Sequence, residues 1–329
     1  MIRNKNIKLL VNYGLGPLLF LWLSWSIYQQ LIHQPNLSST INRLWTSFKG
    51  PDAWKAWTAL ALVVFNWGLE AVKWQSLLKP LEQISFLKAM RAILAGVAFS
   101  INTPNRIGEY GGRVLYVKDG HRWQAVSLTI AGSLSQLIIT LAAGIAGLVA
   151  LLNQPSLFQS SAVQQLWIQV LLYGTIAVAL FLTILYFRLS WLVQWLEKIP
   201  GGNNFLKHIA VIENLGVRFL LRVMGLSLLR YIVFVIQFIL LLQLFIGSIP
   251  FGVACMMISI VYLVLAIIPT IALAEIGIRG KVSLLVFGMI TTNTVGIIAA
   301  TLAIWCMNLV IPAIIGSIFF ASLKIFSDK

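Results

Sequence analysis

"INTPNRIGEYGGRVLYVKDG", residues 101–120, is the stretch on which the fold turns. It ends an apolar run, yet instead of completing a crossing it breaks at Pro104 and delivers Arg106, Glu109 and Arg113 among Gly108, Gly111 and Gly112. The segment leading into it, 85–103, reads "SFLKAMRAILAGVAFSINT", with Lys88 and Arg91 in its opening turns, so only 92–103 is clean apolar sequence. Such a run rises ~18 Å as a helix, about to the midplane of a ~30 Å hydrocarbon layer. The reading that fits is a re-entrant hairpin: a helix in, a break at Pro104, and a second short helix out on the same side.

Composition agrees with a membrane setting. Of 329 residues, 59% are hydrophobic and only 10% charged, with a mean hydropathy of +0.90. A soluble domain carries far more charge, so the class is an all-α polytopic membrane protein. The 24 Lys+Arg against 9 Asp+Glu give a net charge of +15. In a soluble chain that would suggest nucleic acid. Here the basic residues sit mostly in short loops beside apolar segments, so bilayer orientation explains them and no nucleic-acid partner is expected. Cys255 and Cys306 both lie in apolar segments, which argues against a disulfide framework. The N-terminal "MIRNKNIKLLVNYG" places basic residues before an apolar run; no small-x-small site follows, so an uncleaved first span is expected.

Six stretches reach the ~20 residues a crossing needs: roughly 9–32, 57–78, 124–152, 165–187, 223–246 and 291–323. A second interrupted stretch, 252–290, has an apolar arm, Pro269, charge and glycine, then another apolar arm. Its first arm is long enough to span alone, so both a hairpin and a crossing stay open. With a cytoplasmic N-terminus and both hairpins returning to their own side, 19 of the 24 Lys and Arg fall on the cytoplasmic side. Arg43, Lys49, Lys55, Arg279 and Lys281 fall outside, which supports that orientation, with the C-terminus cytoplasmic too. The same arrangement gives two units of matching order and opposite direction, 57–152 and 223–323, within one transmembrane domain spanning 1–329. That is the pattern of an inverted repeat. Between the units, 188–222 is split by Pro200-Gly201-Gly202 into two short amphipathic pieces, either an interfacial cytoplasmic element or a plain connector.

The charges are the candidates for chemistry. Spacings of three and four would put Arg106, Glu109 and Arg113 on one face of a short helix beginning after Pro104. Glu109 could pair with either arginine and leave one positive charge over. Against lipid each charge would cost ~2.5–3.5 kcal/mol near the bilayer centre, about 8–10 in sum, so the face must meet a wet cavity or lie at the interface. The three glycines permit close backbone approach, and a helix N-terminus with arginine at its mouth suits an anionic oxygen, phosphate above all. The plainer alternative is a positive-inside loop with a turn. The second break, "PTIALAEIGIRGK" (269–281), repeats the mixture with Glu275, Gly277, Arg279 and Gly280. Polar stripes accompany both: Asn66, Glu70 and Lys73 on 57–78, with Glu70 and Lys73 spaced to pair; Thr129, Ser133, Gln136 and Thr140 on 124–152, with Gly144 and Gly147 for close helix contact; Arg230 and Gln237 on 223–246. The three histidines are scattered, and no metal-ligand spacing, phosphate-cradling loop or nucleophile elbow occurs. The chain therefore reads as a transporter rather than an enzyme, with no cofactor or metal expected.

"TPNRIGEYGGRVLYVK" resembles the Pro-x-Arg-hydrophobic-Gly-Glu-x-x-x-Arg motif of the flippase-like integral membrane family named for the transmembrane region of lysylphosphatidylglycerol synthase. "LEAVKWQSLL" (69–78) resembles its basic-Trp element, and "PTIALAEIGIRGK" its second Pro…Gly-hydrophobic-Arg motif. Here Ala274-Glu275 replaces the usual glycine pair before Gly277, and Gly280 stands where a glutamate is common. The resemblance implies movement of a phospholipid or other polar-headed lipid between leaflets of a bacterial inner membrane. The residues it carries over are Arg106, Glu109, Arg113 and Arg279. Glu275 and Glu70 are added as groups that could engage an amine or carry a proton, and Pro104 and Pro269 as the breaks. The expected partners are lipids with an anionic or phosphate-bearing headgroup, a second copy of the chain, or an envelope-biosynthesis enzyme. The family's soluble aminoacyl-transferring domain is not expected, since the chain ends shortly after its last span. Two rival readings are a membrane-embedded glycosyl or phosphate transferase acting on polyprenyl-phosphate-linked substrates and a non-catalytic envelope scaffold.

Overall fold

The computed structural model describes residues 48–101, 103, 106–154, 162–188, 215–268 and 272–321, together with positions 25, 42 and 46. The expected first span at 9–32, both prolines assigned to breaks (Pro104 and Pro269) and most of the 188–222 linker lie outside these residues. Every regular element described is helical. In order they are α1 (Ala53–Leu78), α2 (Phe86–Ser100), α3 (Gly108–Val114), α4 (Arg122–Leu152), α5 (Ala162–Phe187), α6 (Val217–Phe245), α7 (Phe251–Ile267), α8 (Ala272–Phe287), α9 (Thr294–Trp305), a π-helical turn (Cys306–Val310) and α10 (Ile311–Ala321).

Four described stretches are long and apolar enough to cross a membrane: Asp119–Leu152, Gln165–Phe187, Val217–Phe245 and Thr294–Phe319. α1, at 26 residues, has the length (~39 Å) but is diluted by Asn66, Glu70 and Lys73. Large apolar side chains stand exposed along α5, among them Trp167, Leu180 and Phe181. In water such a surface would be an unpartnered patch; in lipid it is the ordinary outer face of a span. The protein is a multi-pass membrane protein.

Between these long helices lie two shorter pairs. α2 has 15 residues and α3 only seven, ~22 and ~10 Å, so neither crosses alone. The Ser85 side chain opens α2 by accepting from the Lys88 backbone N–H. The two arms run antiparallel with their backbones in contact. A Cβ at Gly112 would lie 2.6 Å from Gly96 Cα, and one at Gly108 would lie 2.3 Å from the Phe99 carbonyl oxygen. Where the chain leaves, the Lys118 N–H reaches the Glu82 carboxylate, so the pair exits beside its entry. α7 (17 residues) and α8 (16 residues) make the second pair. Its start, at Pro250 and Val253, and its end, at Met289–Thr291, line one small cavity, so this pair also returns to the end it came from.

The central helices α1 and α6 are antiparallel, as successive contacts demonstrate: Ala59 meets Gln237, Asn66 meets Arg230, and Lys73 meets Ser227. Each helical pair follows the C-terminus of one of them, so the two pairs enter from opposite ends of the bundle. The closing helices then cross over. α4 packs on α7 at Gly144, where a Cβ would sit 2.6 Å from Leu263, and at Gly147 against Met256 and Ser259. α10 packs on α2 at Gly316, where a Cβ would come within 1.9 Å of the Leu94 carbonyl oxygen. The shared core around Ile93, Val97, Phe238, Met257, Phe287 and Trp305 joins both halves.

Candidate functional site: a charged cavity between the two helical pairs

The i, i+4, i+7 positions Asn66, Glu70 and Lys73 lie along one face of α1, and the packing of α1 on α6 aims them inward. Glu70 is buried, at 4% exposure, and gathers three cations. It accepts from Lys73 Nζ at 2.8 Å, from Arg113 Nη1 at 2.9 Å and from Arg230 Nη1. Lys73 Nζ also reaches the Gly132 carbonyl and Ser227 Oγ, both at 3.4 Å, and Ser227 meets Ser135 at 2.7 Å. Arg230 donates through Nε to Asn66 Oδ1 at 3.0 Å, and its guanidinium lies 5.7 Å from the ring centroids of both Trp67 and Phe234. Arg113 also donates to Glu109.

A second layer of amides continues from Asn66. Its Nδ2 approaches Asn308 Oδ1 at 3.4 Å; Asn308 Nδ2 donates to Gln237 Oε1 at 2.7 Å; Gln237 Nε2 donates to the Ala59 carbonyl at 2.8 Å. Asn308 lies in the π-helical turn, a device that recurs at functional positions in helices. Asn66, Arg230 and Asn308 each fall within about two residues of the middle of their long helices. The polar centre is thus at mid-depth, where charge is most costly unless it is paired or wet.

On the other side a single oxygen, Glu275 Oε1, accepts from Arg106 Nη2 at 2.8 Å and from Arg279 Nε and Nη2 at 2.9 and 2.8 Å. Arg106 is 39% exposed and is the one described non-glycine residue in the left-handed region, with φ 59°. That backbone turn costs about 1 kcal/mol and carries the side chain across to the opposite half. Glu275 itself is buried.

These groups surround a cavity of about 390 Å³. Trp67, Glu70, Lys73, Arg106 and Glu109 line it from the first half, Arg230, Tyr231, Phe234, Tyr262 and Arg279 from the second, and Ser133, Gln136 and Thr140 from α4. Trp305 and Asn308 also line it, with apolar side chains such as Leu265 and Leu309.

Several expectations meet this geometry unchanged and several do not. Glu70 and Lys73 pair as their spacing predicts, and the α4 stripe faces the cavity except at Thr129, which accepts from Trp74 Nε1. Arg106, Glu109, Glu70, Arg279 and Glu275 all gather there, Glu275 as the partner of two lining arginines. Arg113 does not: it is 4% exposed, doubly paired, and holds α3 to α1 rather than facing a ligand. Arg106, Glu109 and Arg113 do not share a helix face, because α3 begins only at Gly108 and Arg106 precedes it in a left-handed turn. Glu109 pairs with Arg113 and not with Arg106. The α3 N-terminus is no anion site either, since Thr103 Oγ1 already accepts from the Gly108 N–H at 2.8 Å. Gly108 and Gly112 do serve close approach, whereas Gly111 and Gly277 have no neighbour within 4 Å of a Cβ position. Lys73, Arg113 and Arg230 are interior groups, so they carry no weight in an orientation count. Sequence reasoning passed over Trp67, Tyr262 and Asn308, and it read Trp305 as an interfacial anchor at a span end, whereas Trp305 is buried on the cavity wall. Only Asn308 had a signal, as a lone amide in the apolar run "IIAATLAIWCMNLVIPA".

None of the curated proteins compared with the chain matches it. A family model described as the lysylphosphatidylglycerol synthase TM region matches residues 13–316, nearly the full length and all of the helices that build the cavity. The chain belongs to that family.

Proposed function

We propose that the protein is a lipid translocase of a bacterial inner membrane, moving a lipid with a polar, phosphate-bearing headgroup between leaflets. The observation that carries this reading is the mid-depth cavity walled by both helical pairs. At about 390 Å³ it is at the small end of ligand pockets, room for a headgroup but not for acyl chains as well. The tails would stay in the bilayer while the headgroup passes through the polar centre. Family membership supports a lipid-related role, and Arg106 and Arg279 supply guanidinium forks that suit phosphate oxygens.

In this reading the two short pairs are re-entrant hairpins entering from opposite leaflets, and α1–α4 and α6–α10 form an inverted repeat. The antiparallel α1 and α6 and the crossed packing of α4 on α7 and α10 on α2 support it. Both termini lie in the cytoplasm, in keeping with the basic residues of the sequence. Alternating access would rock one unit against the other around the fixed site. The Arg106–Glu275 bridge, which joins the units at 2.8 Å, would be exchanged for contacts to the lipid.

The test is reconstitution into vesicles with a labelled phospholipid in one leaflet and a membrane-impermeant quencher outside. Arg106→Gly combined with Arg279→Gln should slow protein-dependent transfer at least tenfold while leaving the folded protein intact. Equal rates for the variant and wild type would remove the arginines from the mechanism.

A further inference from the structure

The two halves carry the same local pair, Glu109–Arg113 in α3 and Glu275–Arg279 in α8, each an i, i+4 bridge on the outgoing arm. They differ in what the preceding long helix offers. α1 presents Glu70 to Arg113, and the arginine is buried between two carboxylates. α6 contains no Asp or Glu over its 29 residues, and the charged group it presents to the cavity is a cation, Arg230. The counter-charge that the first half supplies is therefore missing from the second.

Counting the groups at the cavity makes the deficit explicit. Lys73, Arg106, Arg230 and Arg279 at the wall, with Arg113 buried behind it, face Glu70, Glu109 and Glu275, five cations to three carboxylates. Every cation has a carboxylate neighbour, but the carboxylates are shared, and the network keeps a net charge of two at mid-depth, in walls that include Phe234, Leu265 and Leu309. Donors are in surplus as well. Glu275 uses one nitrogen of Arg106 and two of Arg279, whereas each guanidinium carries five N–H groups. The indole N–H groups of Trp67 and Trp305, both on the cavity wall, are buried without an acceptor. Gln136 Oε1 is also buried and unpartnered, an acceptor for a hydroxyl. Interior charge and unfilled donors of this kind are stabilised by a matching anion.

We infer that the cavity selects a doubly charged phosphate, a phosphate monoester or diphosphate, over singly charged diester and zwitterionic headgroups. The anion takes the place of the carboxylate α6 lacks, between Arg106, Arg279 and Arg230. This rests on the proposed function only for the lipid origin of the phosphate.

The experiment uses full-length protein in detergent at pH 8, where a monoester carries close to two charges. Retention of three diacyl lipids is read by native mass spectrometry: phosphatidate, phosphatidylglycerol and phosphatidylethanolamine, with inorganic phosphate as a separate probe and competitor. Phosphatidate should be held at least tenfold more tightly than phosphatidylethanolamine, with phosphatidylglycerol between. Arg279→Gln should weaken phosphatidate at least fivefold without moving phosphatidylethanolamine, and Arg279→Lys should restore most of the loss. Glu275→Gln, which raises the excess charge to three, should tighten phosphatidate. Equal retention of all three lipids, or an unchanged order in Arg279→Gln with an unchanged melting temperature, would overturn the inference. Inorganic phosphate held as tightly as phosphatidate would keep the doubly charged class and assign it to a free anion. Selective monoester binding without leaflet transfer would sink the translocase reading alone; transfer of phosphatidylethanolamine without monoester preference would sink only this one.

Discussion

The two helical pairs share an outline and an internal Glu–Arg bridge, yet they are built for different work. In α2–α3 the arms pack tightly on each other and on α1. Gly96 and Gly112 bring backbone onto backbone, and Arg113 is locked between Glu70 and Glu109. In α7–α8 the glycines Gly277 and Gly280 touch nothing, and Arg279 faces the cavity with N–H groups to spare. The first pair is an anchor and the second an adaptable arm. A glycine in a membrane helix is thus not evidence of close packing until a neighbour is found for it. A buried arginine is likewise not a ligand site when carboxylates already enclose it.

The contrast is broken most severely at Glu70. Glu70→Gln leaves Lys73, Arg113 and Arg230 around a neutral amide, and removing one partner of a buried ionic network costs about 3–5 kcal/mol. We expect a large fall in melting temperature or loss of monodisperse protein by size-exclusion chromatography. Glu275→Gln, the counterpart in the open half, should lower the melting temperature less, because one of the two arginines it leaves, Arg106, is 39% exposed and can be solvated.

Next in size is a methyl group at each hairpin's glycine. Gly112→Ala puts a Cβ 2.6 Å from the Gly96 backbone, which cannot move aside, and overpacking of this kind costs about 1–3 kcal/mol. Gly277→Ala meets open space within a helix and should gain up to about 1 kcal/mol instead. Parallel thermal unfolding of the two variants in one detergent reads the difference in sign.

Much of this was legible in the sequence and some was not, for identifiable reasons. The first hairpin follows from an apolar run too short to cross, and the Glu70–Lys73 pair from helical spacing. Both are local facts. The fate of the arginines is not local. Arg106 reaches Glu275 across 169 positions and Arg230 reaches Glu70 across 160, pairings set only when α1 packs on α6 and the hairpins meet. The assumption that α3 begins just after Pro104 put Arg106 and Arg113 on one face. The left-handed turn at Arg106 separates them, sending one to the cavity and the other into the core. Asn308 was overlooked because it stands alone in an apolar run, and a π-helical turn, which spacing does not announce, lies at its position.

Asn308 gives a smaller test of the join between halves. Asn308→Leu removes a donor from Gln237 and leaves the Gln237 carbonyl unpaired, a loss of about 1–3 kcal/mol in melting experiments. Smallest in stability is Arg106→Gly, because glycine accepts the φ of 59° without strain. Its melting temperature should stay within a degree or two of wild type, on the order of a few tenths of a kcal/mol, while lipid transfer falls. That separation of fold from transport is what the open half predicts.

The central claim is that a lipid headgroup occupies the cavity between the hairpins, and headgroup photocrosslinking tests it most directly. A phospholipid with a photoreactive group on its headgroup is incorporated with the protein into vesicles and irradiated, and adducts are mapped by peptide sequencing. The account predicts adducts on cavity-wall residues such as Thr140, Tyr262 and Trp305, reduced in Arg106→Gly. Adducts confined to the outer face of α5, at Leu180 and Phe181, would contradict it.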